Sequence, residues 1–432
     1  MAVTGLGQVS ALGLGTKAFF DGLAGGRCAI SAISRFNPQG LEVSLAGEIP
    51  GCQEFKTSLA ERHDGLLGLG AKQLFELFSR DHKIAFALAA ADEAMEQAGI
   101  DSLDSQSLLH LGTSLETFSF DNLIDTSLAA DFQSLDRIMV HPSLRQPLDK
   151  ALRLIEGAYG RAGLALTNCS ACAAGLQALG QAFRAIREGR FDLAVAGAFD
   201  SMITPLGIGG FQLLGALATG MPMDGRSLCR PFDTYRQGLV LGEGAAVMVL
   251  EPLEKALGNG RKMYGEILGY GASLDAYSLS APDLNGQGAA RAMSAALDDA
   301  GLAPGDIDHL NAHGTGTILN DPVEASAIRK VFAGHWEKMP VTAVKSMIGH
   351  AVAAAGALEA ASCLMTLEAG LIPPNVGLKD VASGCELDHV VGAARRFDGR
   401  LIMTNSFGFG GQNAVLILGK LGQAERDLNG LS

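Results

Sequence analysis

The sequence predicts an α/β protein built from two packed halves, and three observations carry that reading. Short, near-continuous apolar runs, expected of strands covered on both faces, alternate with segments of helical periodicity. The alternation resumes beyond a polar, glycine-bearing stretch, PLEKALGNGRK at 252–262. Hydrophobic residues make up 48% of the 432 positions and charged residues only 18%, so most of the chain must be folded around a core. The expected division is a first half over 1–254, a second over 255–421, and a tail over 422–432 that has little to bury.

The opening AVTGLGQVSALGLG reads as a short strand feeding a glycine turn at Gly5 and Gly7 and is not a GxGxxG fingerprint. Between 80 and 99, Ile84, Leu88, Ala91 and Met95 fall at helical spacing and Gly99 closes the helix. Leu164 to Thr167 is an apolar strand that turns directly into a helix carrying Leu176, Leu179, Phe183 and Ile186 on one face, ended by Arg187 and Gly189. Strands follow at 191–201 and within 239–251. The second half repeats the theme with a strand at 264–269, a helix at 287–300 closed by Gly301, and a strand at 307–311. A helix at 350–369 and strands near 401–405 and 414–418 complete it, and no repeat of 20–50 residues is present.

Composition excludes several classes. With 33 basic and 46 acidic residues the formal charge is 33 − 46 = −13, which rules out a basic, nucleic-acid-coating protein. Seven cysteines are odd in number and too sparse for a disulfide scaffold, and no leader pattern opens the sequence, so a reducing, cytoplasmic location is expected. Two windows without formal charge, Ala162 to Phe183 and Ser201 to Met223, are interrupted by polar residues or by glycine and proline. They read as buried interior and not as membrane spans.

Cys172 lies at a predicted strand-to-helix turn, where free N–H groups and the helix dipole favour a thiolate, flanked by small residues that admit a bulky substrate. A packed, inert cysteine is the alternative. Cys169 and Cys172 form a CxxC, but no second such pair completes a zinc site. His313 in NAHGTGT and His350 in KSMIGHAVAAAG sit at element ends beside glycine, positions that suit hydrogen-bond donation or proton transfer. Together with Cys172 they can form and then use a thioester. Lys345 is read as a surface lysine or as a buried cation tuning His350, with Asp321 or Glu324 as counter-charge. NSFGFGGQN (405–413) offers glycine-rich backbone N–H groups to a developing oxyanion.

These residues resemble one family over nearly the whole chain: the beta-ketoacyl-ACP synthases of the thiolase superfamily, nearest the synthase II branch and its type II polyketide relatives. The resemblance rests on SACAAG around Cys172, DLAVAGAFDSMITPLGIGGF, RPFDTYRQGLVLGEGA, NAHGTGTILNDPVEA, VKSMIGHAVAAAGALE and NSFGFGG. It implies a thiolase-like fold of two similar halves in five αβαβα layers, in a homodimer or a heterodimer with a homologous subunit. It also implies a ping-pong decarboxylative condensation of an acyl thioester with malonyl-ACP. Cys172 would take the acyl group from acyl carrier protein, and the backbone N–H groups of Cys172 and Phe407 would form the oxyanion hole. His313 and His350 would assist decarboxylation, and Lys345 with Glu324 as its acidic partner would organise the site. Thr315 and Thr317 match threonines that bind the phosphopantetheine arm, Gly408 belongs to the same substrate-binding wall, and Phe407 matches a gating phenylalanine. No metal or organic cofactor is implied.

Three departures stand out. Gln412 replaces the more usual threonine near the expected site wall, and Cys169 stands where a small non-thiol residue is commoner. The basic cluster ahead of the 80–99 helix is reduced to Arg80 and Lys83, leaving Lys72, Arg261 or Lys262 as candidate cations for the carrier, or a specialised carrier. These differences favour a specialised pathway. Competing readings are a CoA-using acyltransferase of the same superfamily and a silent chain-length partner of an active synthase. The presence of Cys172 disfavours the latter.

Overall fold

Ten strands in two sets of five carry the fold, and a computed structural model describes residues 1–114, 148–219 and 225–422. The first set is β1 (Ala2–Ser10), β2 (Ser107–Gly112), β3 (Leu164–Asn168), β4 (Leu193–Ser201) and β5 (Glu243–Glu251). The second is β6 (Gly265–Leu274), β7 (His309–Asn311), β8 (Pro340–Thr342), β9 (Leu401–Gly408) and β10 (Gln412–Gly419). Across the sheet the first set runs β3-β2-β4-β5-β1 and the second runs β8-β7-β9-β10-β6, so both follow the order third, second, fourth, fifth, first. The pairing senses agree as well. β2 is parallel to β3 and β4, and β7 to β8 and β9, while the remaining neighbours in each set are antiparallel. The sets meet where Ala2 and Val3 pair with Glu266 and Gly265.

Helices form three layers around these strands. Helix α1 (His82–Ala98) and α2 (Lys150–Tyr159) cover the outer face of the first set through Ile84, Leu88, Met95, Leu152 and Ile155. The central helices are α3 (Ala174–Arg187) and α7 (Ala355–Ala369), which pack on each other and on strands of both sets. The expected stripe of Leu176, Leu179, Phe183 and Ile186 on α3 is fully used there. Helix α4 (Pro205–Leu213) lies on the rim of the molecule, and α5 (Gln287–Ala300) with α6 (Asn320–Val331) covers the outer face of the second set. Five αβαβα layers result.

Glycine sets the closest approach in this stack. A Cβ on Gly175 would lie 2.7 Å from the Ala357 nitrogen, and one on Gly356 would lie 2.8 Å from Leu176 Cγ. The two central helices therefore touch backbone to backbone at their first turns. Each helix is preceded by a single 3₁₀ turn, Ala171–Ala173 and Val352–Ala354, whose first residue is left-handed, with φ of 49° at Ala171 and 46° at Val352. That conformation is costly for alanine and more so for a β-branched valine.

The structure departs from the sequence reading at several points. Gly5 and Gly7 do not end the first strand. β1 continues to Ser10, and the glycines are there because a Cβ on Gly5 or Gly7 would sit 2.0 Å from the Ala94 oxygen or 1.9 Å from the Ala90 oxygen of α1. The 350–369 helix starts at Ala355, since left-handed Val352 breaks it. The Ser201–Met223 window is not uniformly interior. Leu206, Leu213 and Leu214 are exposed, and 220–224 lie outside the described residues, as do 423–432 of the expected tail. Val352–Ala369 is long and apolar enough to cross a membrane by length and composition, but it is 83% buried as the central layer.

Gly175→Ala should overpack this helix contact. We expect a loss of about 1–3 kcal/mol, read from the denaturant midpoint, with no change in circular dichroism of the folded state. An unchanged midpoint would disprove the backbone contact.

Candidate active site

Because the central helices meet at their N-termini, the turns that precede them face one another. The first turn carries Cys172 and the second follows His350, while His313 arrives from the loop after β7. The Cys172 sulfur and ligand nitrogens of His313 and His350 all lie within 4.8 Å of one another, and all three residues are buried. The imidazole rings stand edge to face, 5.3 Å apart at 82°. The Phe407 ring closes one side, 5.8 Å from His313.

Hydrogen bonds fix the tautomers. The Val352 backbone N–H donates to His350 Nδ1 at 3.1 Å, so the ring proton resides on Nε2. The Lys345 ammonium donates to His313 Nδ1 at 3.2 Å and to the His313 carbonyl at 2.6 Å, with the same consequence. Burial, reinforced by Lys345, holds both imidazoles well below the ordinary 6.5. Two neutral rings thus present Nε2–H donors to the cavity. A metal ion would need those nitrogens as lone-pair donors, with the opposite ring N–H donating outward. Here the outer partners are themselves donors, one of them a cation, so the set does not fit a metal.

Lys345 is 1% exposed and pairs with the carboxylate of Glu359. The expected buried cation acting on His350 is therefore present, although its hydrogen bonds go to His313. One expectation is corrected: its counter-charge is neither Asp321 nor Glu324. Glu324 instead accepts the backbone N–H groups of His313 and Gly314, each at 2.8 Å, and the Asn405 amide at 3.2 Å. It holds the HGTGT loop from behind and does not line the cavity. Asp321 does the same farther along, accepting the N–H of Phe232 at 2.7 Å and of Gly316 at 3.2 Å. Glu359 was legible as the lone acid in the apolar run AVAAAGALEAASCLM.

The thiol also departs from expectation. Burial pushes Cys172 up to about 12, and the opposing pull of Lys345 and of nearby N–H groups is smaller. The helix N-terminus does not prevail over desolvation, so the resting group is a thiol. The N–H groups that reach the sulfur belong to Cys172 itself and to Phe409, not Phe407. Phe407 is still in β9, paired with Asn413, whereas Phe409 has left the strand for the turn Phe409–Gly411. Gly408 permits the approach, since a Cβ there would lie 3.1 Å from the Cys172 nitrogen. The Phe409 ring packs 6.1 Å from that of Phe211, in an apolar cluster with Cys172, Ile203 and Leu241.

A cavity of about 190 Å³ runs from these groups to the surface. Thr315 and Thr317 line it, their hydroxyls 3.0 Å apart, together with Phe407, Gly408 and Phe409. The loop after β6 is strapped to the Phe409–Gly411 turn. Gly410 donates to the Leu279 carbonyl at 2.8 Å, and the Asn413 amide donates to Asp275 at 2.7 Å. Gln412 turns away toward Gln177, at 3.4 Å, and Cys169 is exposed, so neither lines the cavity.

Comparison with known proteins gives a consistent picture. Residues 1–256 match the beta-ketoacyl synthase N-terminal domain and residues 264–379 the corresponding C-terminal domain. The chain is 36% identical to a putative polyketide beta-ketoacyl synthase 1 of Streptomyces cyaneus, over 98% of this chain and 99% of that one. It is 33% identical to 3-oxoacyl-[acyl-carrier-protein] synthase 2 of Coxiella burnetii, over 98% of each. Among solved structures, the ishigamide ketosynthase/chain length factor superposes with a TM-score of 0.82 at 34% identity, covering 98% of this chain and 99% of that chain.

The buried ion pair makes a pH prediction. Burial raises Glu359 from 4.5 to about 7, so the folded state binds its proton more tightly than the unfolded state does. That contribution is complete below 4.5 and is lost as pH rises through about 7. Above about 7, where Glu359 is ionised, Glu359→Gln should cost about 3–5 kcal/mol by leaving Lys345 unpaired. It should also flatten the pH slope of unfolding free energy between 4.5 and about 7 relative to wild type. Parallel slopes in urea titrations of the two proteins would contradict this assignment.

Proposed function

The chain belongs to the beta-ketoacyl synthase family, and we propose that it condenses an acyl group held on Cys172 with the two-carbon unit of a malonyl thioester. The products are carbon dioxide and a 3-oxoacyl thioester two carbons longer, borne on acyl carrier protein. The observation that carries this reading is the buried thiol facing two neutral imidazoles whose Nε2–H groups are fixed as donors.

The first half-reaction is a thiol exchange. Cys172 attacks the donor thioester, the tetrahedral oxyanion is met by the N–H groups of Cys172 and Phe409, and the carrier thiol leaves with the proton the cysteine gives up. No net charge is created, which suits a thiol that burial keeps protonated. In the second half-reaction the malonyl C–C bond breaks, carbon dioxide departs, and the enolate oxygen accepts hydrogen bonds from His313 and His350. The enolate carbon attacks the Cys172 thioester, the same N–H pair holds the second oxyanion, and the expelled thiolate takes a proton from solvent. Lys345, anchored by Glu359, keeps the His313 proton on Nε2. Thr315 and Thr317 offer hydroxyls to the pantetheine arm along the cavity, Gly408 leaves room beside the nucleophile, and Phe407 and Phe409 bound its two sides.

The carrier is named in the Coxiella relative, and the cavity's narrow volume of about 190 Å³ supports a slender thioester arm as its occupant. A subunit partner is supported by β3, an edge strand with Leu164 and Leu166 at 39% and 38% exposure and no strand paired to its outer side among the described residues. Such an edge invites pairing with a second copy or a homologous subunit. The halves are taken as 1–254 and 255–421. A cytoplasmic location is supported by seven cysteines, none of them in a disulfide. The silent-partner and CoA-using readings are disfavoured by the intact thiol and by the two histidine donors.

Intact-protein mass after incubation with acyl-carrier substrates tests the assignment. Wild type should gain one acyl group and Cys172→Ala none. His313→Ala and His350→Ala should still acylate but lose about 10²–10⁴-fold in malonyl decarboxylation. No adduct with any donor would overturn the synthase reading. Since both imidazoles are neutral well below 6.5, decarboxylation by wild type should show no inflection near that pH. A fall on acidification centred at 6.5 would mean that a histidine titrates normally.

A further inference from the structure

We infer that the carrier protein docks on this enzyme through an apolar collar around the cavity mouth, in place of a ring of cations. The inference rests on the ketosynthase reading above. Exposed apolar side chains from three separate segments lie at or next to the residues lining the cavity. Leu213 is 92% exposed and Leu214 55% at the end of α4; Leu279 is 87% exposed in the loop after β6; Ile318 and Leu319 are 56% and 45% exposed ahead of α6. Leu214, Ile318 and Leu319 line the cavity itself, and Leu213 and Leu279 are chain neighbours of lining residues Leu214 and Ser280.

Scattered exposed leucines need no explanation, but a set converging on one opening does. This opening leads to Cys172, and the cavity admits an arm and not a folded domain, so the body of the carrier must rest on the collar. Charge argues in the same direction. Among the described residues lining the cavity there is no lysine or arginine, and apart from Cys172, His313 and His350 the one ionisable side chain is Asp275. The chain carries a net −13, so an acidic carrier face gains no general attraction.

Of the five cations expected from the sequence, Lys72 and Arg80 are exposed on the helix Ala71–Arg80 but do not line the cavity, and the other three do not repair this. Arg261 bonds the Ala98 and Gly99 carbonyls and faces Glu251, and Lys262 pairs with Glu368 at 3.2 Å. Both precede the start of the ten-residue β6, whose far end opens on the cavity, roughly 30 Å away at strand rise. Lys83 is only 2% exposed. The partner that fits is therefore a carrier protein presenting apolar side chains around its pantetheine-bearing serine.

The test compares acylation of Cys172 by the same acyl group on its carrier protein and on free pantetheine, followed by intact mass, in wild type, Leu213→Asp and Leu279→Asp. Both leucines are nearly fully exposed, so the substitutions leave the core alone. The preference for the carrier-borne donor should fall roughly tenfold or more in either variant, and wild-type KM for the carrier should change little between low and high salt. An unchanged preference together with a KM that rises steeply with salt would overturn the apolar collar in favour of cationic docking. A change in sedimentation of the variants with carrier preference intact would make the collar a face between protomers and likewise overturn it. Wild type acylated by neither donor would remove the ketosynthase reading itself, a result distinct from both.

Discussion

Everything at the site follows from the contact of two buried helices at their first turns. Gly175 and Gly356 let the backbones of α3 and α7 meet, and that single approach brings the turns carrying Cys172 and following His350 face to face. The layers on either side serve the contact. Each five-stranded set delivers a strand end to the turn of the opposing half, β9 to Cys172 through Phe409 and β4 to Ala353 through Asp200. The cost is concentrated in two left-handed residues, Ala171 and Val352, and the hydrophobic burial of both central helices offsets it.

The chemistry depends on desolvation used in two opposite directions. Burial keeps the thiol protonated and both imidazoles neutral, so the resting site carries no mobile charge of its own. The charge beside the histidines, Lys345, is paired with Glu359 and directs its hydrogen bonds at His313. A preorganised donor array of this kind stabilises negative charge that appears only during reaction, without reorganising when it does.

Much of this was legible in the residues. Alternating buried runs gave the layered class, and Leu176, Leu179, Phe183 and Ile186 gave the stripe that α3 buries. Cys172, His313 and His350, which the structure brings together, were singled out by their places at element ends beside small residues. Legibility failed where pairing across the fold decides the outcome. Glu359 and Lys345 are neighbours because α7 turns one face to the loop of His313, a relation that spacing along the chain does not encode. Phe409 displaced Phe407 at the sulfur because the strand ends at Gly408, a one-residue boundary that a glycine-rich motif leaves open. Gly5 and Gly7 read as a turn because the helix lying against them is over eighty residues away.

The duplicated strand order leaves the second half with its own version of the nucleophile turn, and its fate is instructive. Where the first half has Cys172, the second has Ala353, and the backbone N–H of Ala353 is already occupied by the Asp200 carboxyl at 3.0 Å. Asp200 is fully buried and is held in turn by the Ser114 hydroxyl and its neighbour's N–H. The turn of the first half is left open to the cavity, and its counterpart in the second half is plugged by the protein's own side chain. Symmetry of backbone is thus broken by two side chains, an alanine where the cysteine would stand and an acid that occupies its N–H.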